Sequence, residues 1–342
     1  MRNVDQLARI GFYTLSDARA KQCSVHSPLW RCELLITSRC NFSCPYCRGV
    51  QSQYRGDMPC GQAIGTIQYW ASQGLRNIRF SGGEPTLHKE LPLFVKTAKN
   101  SNINRIAIST NGSASREKYD HLIDMGANDF SISLDACCAT TFNKMIGKQQ
   151  YSFDTLCETI RHVASRVYTT VGVVATEGNA EEMVRIINMA SGLGVADIRI
   201  ITAAQTERFL SEMDIAEDVL AKHPILKYRL DNAKKSRPVR GLHTGDSSRC
   251  SLVLDDMAVI GNDHYPCIIY LREGGKPIGQ MTDDVRGQRE RWSETHRCDH
   301  DPICRKNCLD VCVDYNNTVR DYRNQITGGI HAKAKAEADT VD

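Results

Sequence analysis

Three cysteines fall within eight residues in the stretch CNFSCPYC, residues 40–47, spaced C-x3-C-x2-C. A structural zinc ion or a complete iron–sulfur cluster normally takes four protein ligands. Three thiols on one short loop, Cys40, Cys44 and Cys47, therefore point to a metal cluster with one corner left open for a ligand that reacts. Six more cysteines gather late in the chain, at Cys250, Cys267, Cys298, Cys304, Cys308 and Cys312. The other six, Cys23, Cys32, Cys60, Cys137, Cys138 and Cys157, are scattered. A scattered cysteine is by default a small buried hydrophobe.

Further polar and glycine-rich runs sit at regular intervals: SGGEPT at 81–86, STNG at 109–112 and SLDACC at 133–138. The elements that must hold them follow from periodicity. CELLIT (32–37), LRNIRFSGG, NRIAISTNG, DFSISLDA, VYTTVGVVAT and DIRIITAA read as strands. QAIGTIQYWASQG, KELPLFVKTAKN, SREKYDHLIDMG, SFDTLCETIRHVAS and AEEMVRIINMASGLG read as helices between them. Pro92 is tolerated in a first helical turn. Ser caps and Gly stops frame SREKYDHLIDMG. Strict alternation over 32–204 predicts a parallel sheet with helices outside. Such sheets place their sites at the C-terminal ends of the strands. The cysteine loop and the three polar runs fall there in four successive units, so all four line one mouth.

Together these residues resemble the radical S-adenosylmethionine enzymes: CNFSCPYC after the first strand, GGEP after the second, STNG after the third and SLD after the fourth. The resemblance implies a partial (β/α)6 TIM-like barrel. It implies that Cys40, Cys44 and Cys47 bind three irons of a [4Fe-4S] cluster, whose fourth iron chelates the amino and carboxylate groups of S-adenosylmethionine. Reductive cleavage then yields methionine and a 5′-deoxyadenosyl radical that takes hydrogen from an unactivated C–H bond. Tyr46 matches the family position beside the adenine. Gly82, Gly83 and Glu84 would hold the methionine amino group, while Ser109, Asn111 and Ser133 would bond ribose or carboxylate. A flavodoxin or ferredoxin-type donor would supply the electron.

The late cysteines resemble the family's SPASM or twitch extension, a small cysteine-rich domain with an auxiliary cluster. Cys298-x5-Cys304-x3-Cys308 and Cys312 fit in part. Residue 295 is Thr where the longer form has a cysteine, and the gap from Gly261 to Cys267 is one residue longer than usual. Six thiols fill one [4Fe-4S] cluster with two left over, so one auxiliary cluster is expected, with Cys250 and Cys267 among its ligands. Zinc is the rival occupant, because four thiolates also suit it. The expected organisation is an N-terminal extension over 1–31, the barrel over 32–204, a linker over 205–245, the auxiliary domain over 246–322 and a disordered tail over 323–342. In the linker, Lys234, Lys235, Arg237 and Arg240 form a basic run that either meets an anionic substrate or is a solvated surface.

The net charge of +3 over 342 residues gives no reason on its own to expect nucleic acid. MRNVDQLARI lacks the apolar core of a signal peptide, and no apolar run approaches the ~20 residues that span a bilayer. A soluble cytoplasmic protein without membrane contact is expected, where clustered cysteines hold metal rather than disulfides.

Three functions compete. One is radical chemistry on a small molecule (a sugar, aminocyclitol, nucleotide-linked or nucleic-acid-attached group), giving dehydrogenation, epimerisation or isomerisation. Another is side-chain modification of a peptide or protein, as in RiPP or sulfatase-type maturases. The stretch before the first strand is too short for the full leader-binding domain such maturases often carry. The last is a non-catalytic iron–sulfur or zinc protein, against which the paired cysteine loop and GGEP speak. A molybdopterin-pathway cyclase shares wording like IRFSGGEP, but would need a late C-x2-C pair and a glycine–arginine tail, and neither is present. Cys137 and Cys138, at the rim of the fourth strand, are candidate hydrogen-atom donors to a substrate radical. The alternative is that they only pack a loop.

Overall fold

The computed structural model describes residues 17–49, 54–203, 208–281 and 284–338, with side chains to residue 326. Six strands run parallel: β1 (Arg31–Thr37), β2 (Asn77–Gly82), β3 (Arg105–Thr110), β4 (Asp129–Ser133), β5 (Tyr168–Ala175) and β6 (Asp197–Thr202). Each pairs in register with the next. Helices Cys60–Ser72, Leu91–Asn100, Arg116–Met125, Phe153–Ala164 and Met183–Gly192 connect them. This is the parallel sheet expected from the alternation, and the partial barrel that the resemblance implies.

Each strand has two chemically different faces because successive side chains alternate. Cys32, Leu34, Ile36, Ile78, Phe80, Ile106, Ile108, Phe130 and Ile132 are buried in the main core against the helices. The opposite face is polar. There Ser81 donates to Glu33 at 2.7 Å, Arg79 to Ser109 at 3.4 Å, and Arg199 to Ser131 and to Thr170, the latter at 3.0 Å. A lumen lined this way suits a wet substrate cavity rather than a packed centre.

Four features depart from the sequence reading. A helix, Ala139–Ile146, follows β4 directly. Its Ile146 carbonyl accepts from Ser43 N at 2.9 Å and its Phe142 meets Phe42 edge-on at 6.3 Å, so it braces the cysteine loop. Within the expected linker, the described residues 208–245 are not an open segment: they hold helices Arg208–Glu212, Glu217–Lys222 and Pro224–Lys234. Leu226 and Leu230 are buried in the main core, and Asp197 accepts from the backbone N–H groups of Ile225 and Leu226 at the start of the last of these helices. The basic run there is partly structural: Arg237 pairs with Asp314, and Arg240 donates to the Thr202 and Asn307 carbonyls. Residues 323–338, expected to be disordered, lie in one helix, Asp310–Ala338, and 339–342 fall outside the described residues. The segment HAKAKAEA is poor in large apolar groups but rich in Ala, Lys and Glu, which favour helix without tertiary contacts.

The fourth departure concerns how the cysteine-rich region attaches. Strand β7 (Asp256–Ile260) adds to the free edge of β1 in parallel register, followed by antiparallel β8 (Asp263–Tyr265) and β9 (Gly279–Gln280). The sheet order is β6-β5-β4-β3-β2-β1-β7-β8-β9. Buried ion pairs pin the junction, Arg19 with Asp255 and Arg31 with Asp256. The late region is thus continuous with the barrel sheet. No helix among the described residues is long and apolar enough to cross a membrane.

Candidate functional site

The loop 40–49 leaves β1 at the mouth. Cys40 and Cys47 are exposed and Cys44 is half-buried. Backbone N–H groups of Phe42 and Gly49 point at the Cys40 and Cys47 sulfurs, at 3.5 and 3.3 Å. Burial raises the Cys40 thiol, and raises Cys44 to about 11; the charge of Cys47 adds to both, and that of Cys40 adds to Cys44. Three thiols on one loop, with N–H groups aimed at two of the sulfurs, supply the donor types an iron–sulfur cluster needs. The loop is fixed by Asn41, which donates to Ser113 and Tyr151, both at 2.8 Å, and accepts from Asn111 at 2.8 Å. Asn111 Nδ2 also lies 4.0 Å from the Cys40 sulfur.

The two glycines after β2 have a steric reason. A Cβ on Gly82, whose φ is +139°, would lie 2.1 Å from the Thr37 carbonyl oxygen, and one on Gly83 would lie 2.1 Å from that of Arg39. The strand end packs directly against the backbone that launches the cysteine loop. Gly83 N donates to Thr37 O at 2.8 Å and Glu84 N to Arg39 O at 2.7 Å.

Glu84 behaves differently from the expectation that its side chain pairs with an ammonium. It is 1% exposed. Oε1 accepts from Thr86 N at 3.0 Å, Thr86 Oγ1 at 2.6 Å and Thr110 Oγ1 at 2.8 Å; Oε2 accepts from Asn111 N at 2.6 Å. Burial pushes its carboxyl up while these four donors pull it down. The carboxylate ties the end of β2 to the end of β3 and so sets Asn111. Ser109, half-buried, receives the Arg79 guanidinium, and Ser133 is exposed at the end of β4.

Tyr46 is held by its hydroxyl, which donates to Asp135 Oδ2 at 2.6 Å. Asp135 closes the SLD run and also accepts from Val174 N on β5. Burial pushes its carboxyl up to about 6. Asn179 donates to the Asp135 and Val174 carbonyls, at 2.9 and 3.0 Å. Asp135, Asn179 and Asn41 were not singled out in the sequence; only the SLD motif carried a signal, for Asp135. Cys137 and Cys138 lie beyond this knot. The Cys137 thiol donates to Glu182 Oε2 at 3.2 Å, and Cys138 caps helix Ala139–Ile146 with its sulfur 3.5 Å from Thr141 Oγ1.

All six late cysteines line one apolar cavity, with Tyr270, Trp292 and Leu309 among its other walls. All six are free thiols; that of Cys298 is hydrogen-bonded with those of Cys250 and Cys304, and that of Cys308 with that of Cys312. Burial drives the Cys267 thiol well above its ordinary range, and the charges of Cys312 and Cys250 add to this. His296, missed in the sequence, brings Nε2 to 3.9 Å from the Cys304 sulfur and stacks on Trp292 at 4.0 Å. The cavity communicates with the mouth through the short helix Ile268–Arg272, which Cys267 caps. At its far end Arg272 donates to the carbonyls of Gly49 and Gly82, at 3.2 and 3.3 Å.

Residues 34–190 match the radical SAM superfamily. Curated relatives include a probable GTP 3′,8-cyclase from Metallosphaera sedula, 27% identical over 51% of this chain and 56% of that protein. Another, from Methanococcus vannielii, is 33% identical over 33% of this chain and 39% of its own length. The chain spans about half the length of the first of these relatives. Among solved structures, Streptococcus suis SuiB bound to precursor peptide SuiA superposes with a TM-score of 0.58 at 13% identity, covering 85% of this chain and 69% of that one. The anSMEcpe structure with bound AdoMet gives 0.58 at 15% identity over 86% and 95%. These two likenesses are of fold.

Proposed function

We propose, from the match of residues 34–190 to the radical SAM superfamily, that this chain is an enzyme which binds S-adenosylmethionine on a [4Fe-4S] cluster at the barrel mouth. When bound, that pair supplies a 5′-deoxyadenosyl radical able to take hydrogen from an unactivated C–H bond. The observation that carries the reading is the three-thiol loop held against the Gly82–Gly83 strand end, with amide N–H groups aimed at the Cys40 and Cys47 sulfurs.

In this reading Cys40, Cys44 and Cys47 hold three irons. The backbone of Gly82 and Gly83 offers carbonyls to the methionine amino group. Glu84 holds Asn111 in place from behind, and Asn111 together with Ser109 and Ser133 offers hydrogen bonds to ribose or carboxylate. Tyr46, pinned by Asp135, flanks the adenine. Four of the six late thiols bind an auxiliary [4Fe-4S] cluster, within the apolar cavity that all six line. Electrons arrive from a flavodoxin or ferredoxin-type donor.

For the substrate, a small anionic metabolite with a nucleotide-like group is favoured over a peptide. The support is the naming of the curated relatives as GTP 3′,8-cyclases, together with a lumen that carries Arg79 and Arg199 among hydroxyl side chains. The cyclase reaction itself is not adopted, because the late cysteine spacing departs from that pathway's pattern. The test is anaerobic reconstitution, reduction with dithionite and quantitation of 5′-deoxyadenosine. The parent should release it and Cys44→Ala should not. Parent-rate release by Cys44→Ala sinks the assignment.

A further inference from the structure

Neither the radical chemistry nor the late cavity uses the group formed by Cys137, Cys138 and Glu182. These residues come from two neighbouring β/α units. Cys137 lies just past β4, Cys138 caps helix Ala139–Ile146, and Glu182 immediately precedes helix Met183–Gly192. Their two sulfurs and a carboxylate oxygen all lie within 4.8 Å of one another. Loop packing alone gives no reason for two thiols and a carboxylate to converge.

We propose that Cys137, Cys138 and Glu182 form a zinc site that clasps the rims of β4 and β5. A tetrahedral zinc ion sits about 2.3 Å from sulfur and about 2.0–2.2 Å from oxygen, which puts its ligand atoms roughly 3.3–3.8 Å apart. Cys137 Sγ and Glu182 Oε2 stand at 3.2 Å already. The remaining separations are at most 4.8 Å, about 1 Å beyond the zinc range.

The surrounding contacts orient this set. Thr141 Oγ1 donates to Glu182 Oε1 at 2.7 Å, fixing one carboxylate oxygen so that the other faces Cys137. The same hydroxyl lies 3.5 Å from the Cys138 sulfur. Groups of this kind outside the ligand shell hold metal ligands in register. Two thiolates and a carboxylate carry three negative charges; zinc offsets two, and Arg185, 3.6 Å from Glu182 Oε1, lies beside the remainder. A water molecule completes the tetrahedron. Thiolates select zinc over magnesium or calcium. Binding releases the thiol protons and involves no change of oxidation state. A zinc-bound thiolate has no hydrogen atom to return to a substrate radical, so this assignment replaces the donor role expected of the two cysteines.

The consequence is mechanical. The clasp joins the segment carrying Asp135, which pins Tyr46, to the segment carrying Asn179, which bonds the Asp135 carbonyl. It would stiffen one side of the mouth.

The experiment uses the full chain with its iron–sulfur content reconstituted first, so that the other cysteines are occupied. One equivalent of zinc chloride is added, the protein is desalted, and zinc and iron are measured by elemental analysis. Zinc-edge X-ray absorption then reports the ligands. The expected result is about one zinc per chain, with two sulfur and two light-atom neighbours. Cys138→Ala and Glu182→Gln should each weaken zinc retention at least about tenfold while iron stays at the parent value. Unchanged iron shows that the variants fold. No zinc retained by the reconstituted parent overturns the proposal. So does a shell of four sulfurs, which would place zinc among the late thiols, or full retention by Glu182→Gln.

Discussion

Glu84 gives the sharpest test of how the mouth is built. In Glu84→Ala four donors lose their acceptor at a position 1% exposed. The Thr86 and Thr110 hydroxyls can turn elsewhere; Thr110 Oγ1 already has Tyr119 Oη at 3.1 Å. The backbone N–H groups of Thr86 and Asn111 cannot turn. Each buried donor left unpaired costs about 1–3 kcal/mol, so Glu84→Ala should lose about 2–6 kcal/mol of stability. Glu84→Gln keeps one oxygen for Thr86 and Thr110 but sets its amide N–H groups against Asn111 N, and should lose about 1–3 kcal/mol. The assay is anaerobic urea unfolding of the reconstituted protein followed by far-ultraviolet circular dichroism, with S-adenosylmethionine affinity measured alongside by equilibrium dialysis. Unfolding midpoints should fall in the order parent, Gln, Ala, and affinity should fall with them as Asn111 loses its anchor. If Glu84→Gln keeps the parent midpoint while its affinity collapses, Glu84 meets the ligand directly and the scaffolding argument is refuted.

Other outcomes follow from the same geometry. Gly83→Ala places a Cβ 2.1 Å from the Arg39 carbonyl oxygen, which is backbone and cannot step aside. Iron at the 40–47 loop should be lost while late-cluster iron remains, and full iron content in that variant contradicts the packing account. Replacing Cys40, Cys44 and Cys47 together by Ala should leave about four irons per chain, and finding none, or zinc in their place, removes the auxiliary cluster. The Asp135 carboxyl sits at about 6 because it is buried, above its unfolded value. The folded state therefore binds more protons than the unfolded one as that carboxyl titrates, and this group's stabilisation declines as pH rises toward and through about 6. Between about pH 5.5 and 7.5 the parent should lose roughly 1 kcal/mol relative to Asp135→Asn in urea titrations, and parallel curves rule out that burial-driven shift.

The barrel and its mouth were legible in the sequence because both are local. A strand declares itself over six residues of alternation, a helix over ten or so, and a motif such as GGEP needs only its place after a strand. Alternation of the two then leaves a parallel sheet as the natural outcome. Helix Ala139–Ile146 escaped because ATTFNKMI directly follows the rim cysteines, and its N-cap is Cys138 rather than a Ser, Thr, Asp or Asn that would announce it. The adhesion of β7 to β1 was not legible at all. DMAVI is a five-residue apolar run, and nothing local says that it finds Arg31–Leu35 more than two hundred positions earlier. Other decisions rest on partners distant in the chain. Glu84 and Asn111 are 27 residues apart, and their bond turns a residue expected to meet a ligand into a strut. Cys137 and Glu182 are 45 apart. Six cysteines spread over more than sixty positions share one cavity. Residue type and spacing determined which chemistry this chain is equipped for. Only burial, which decides whether a polar side chain faces a ligand or another part of its own fold, fixed which residues are free to perform it.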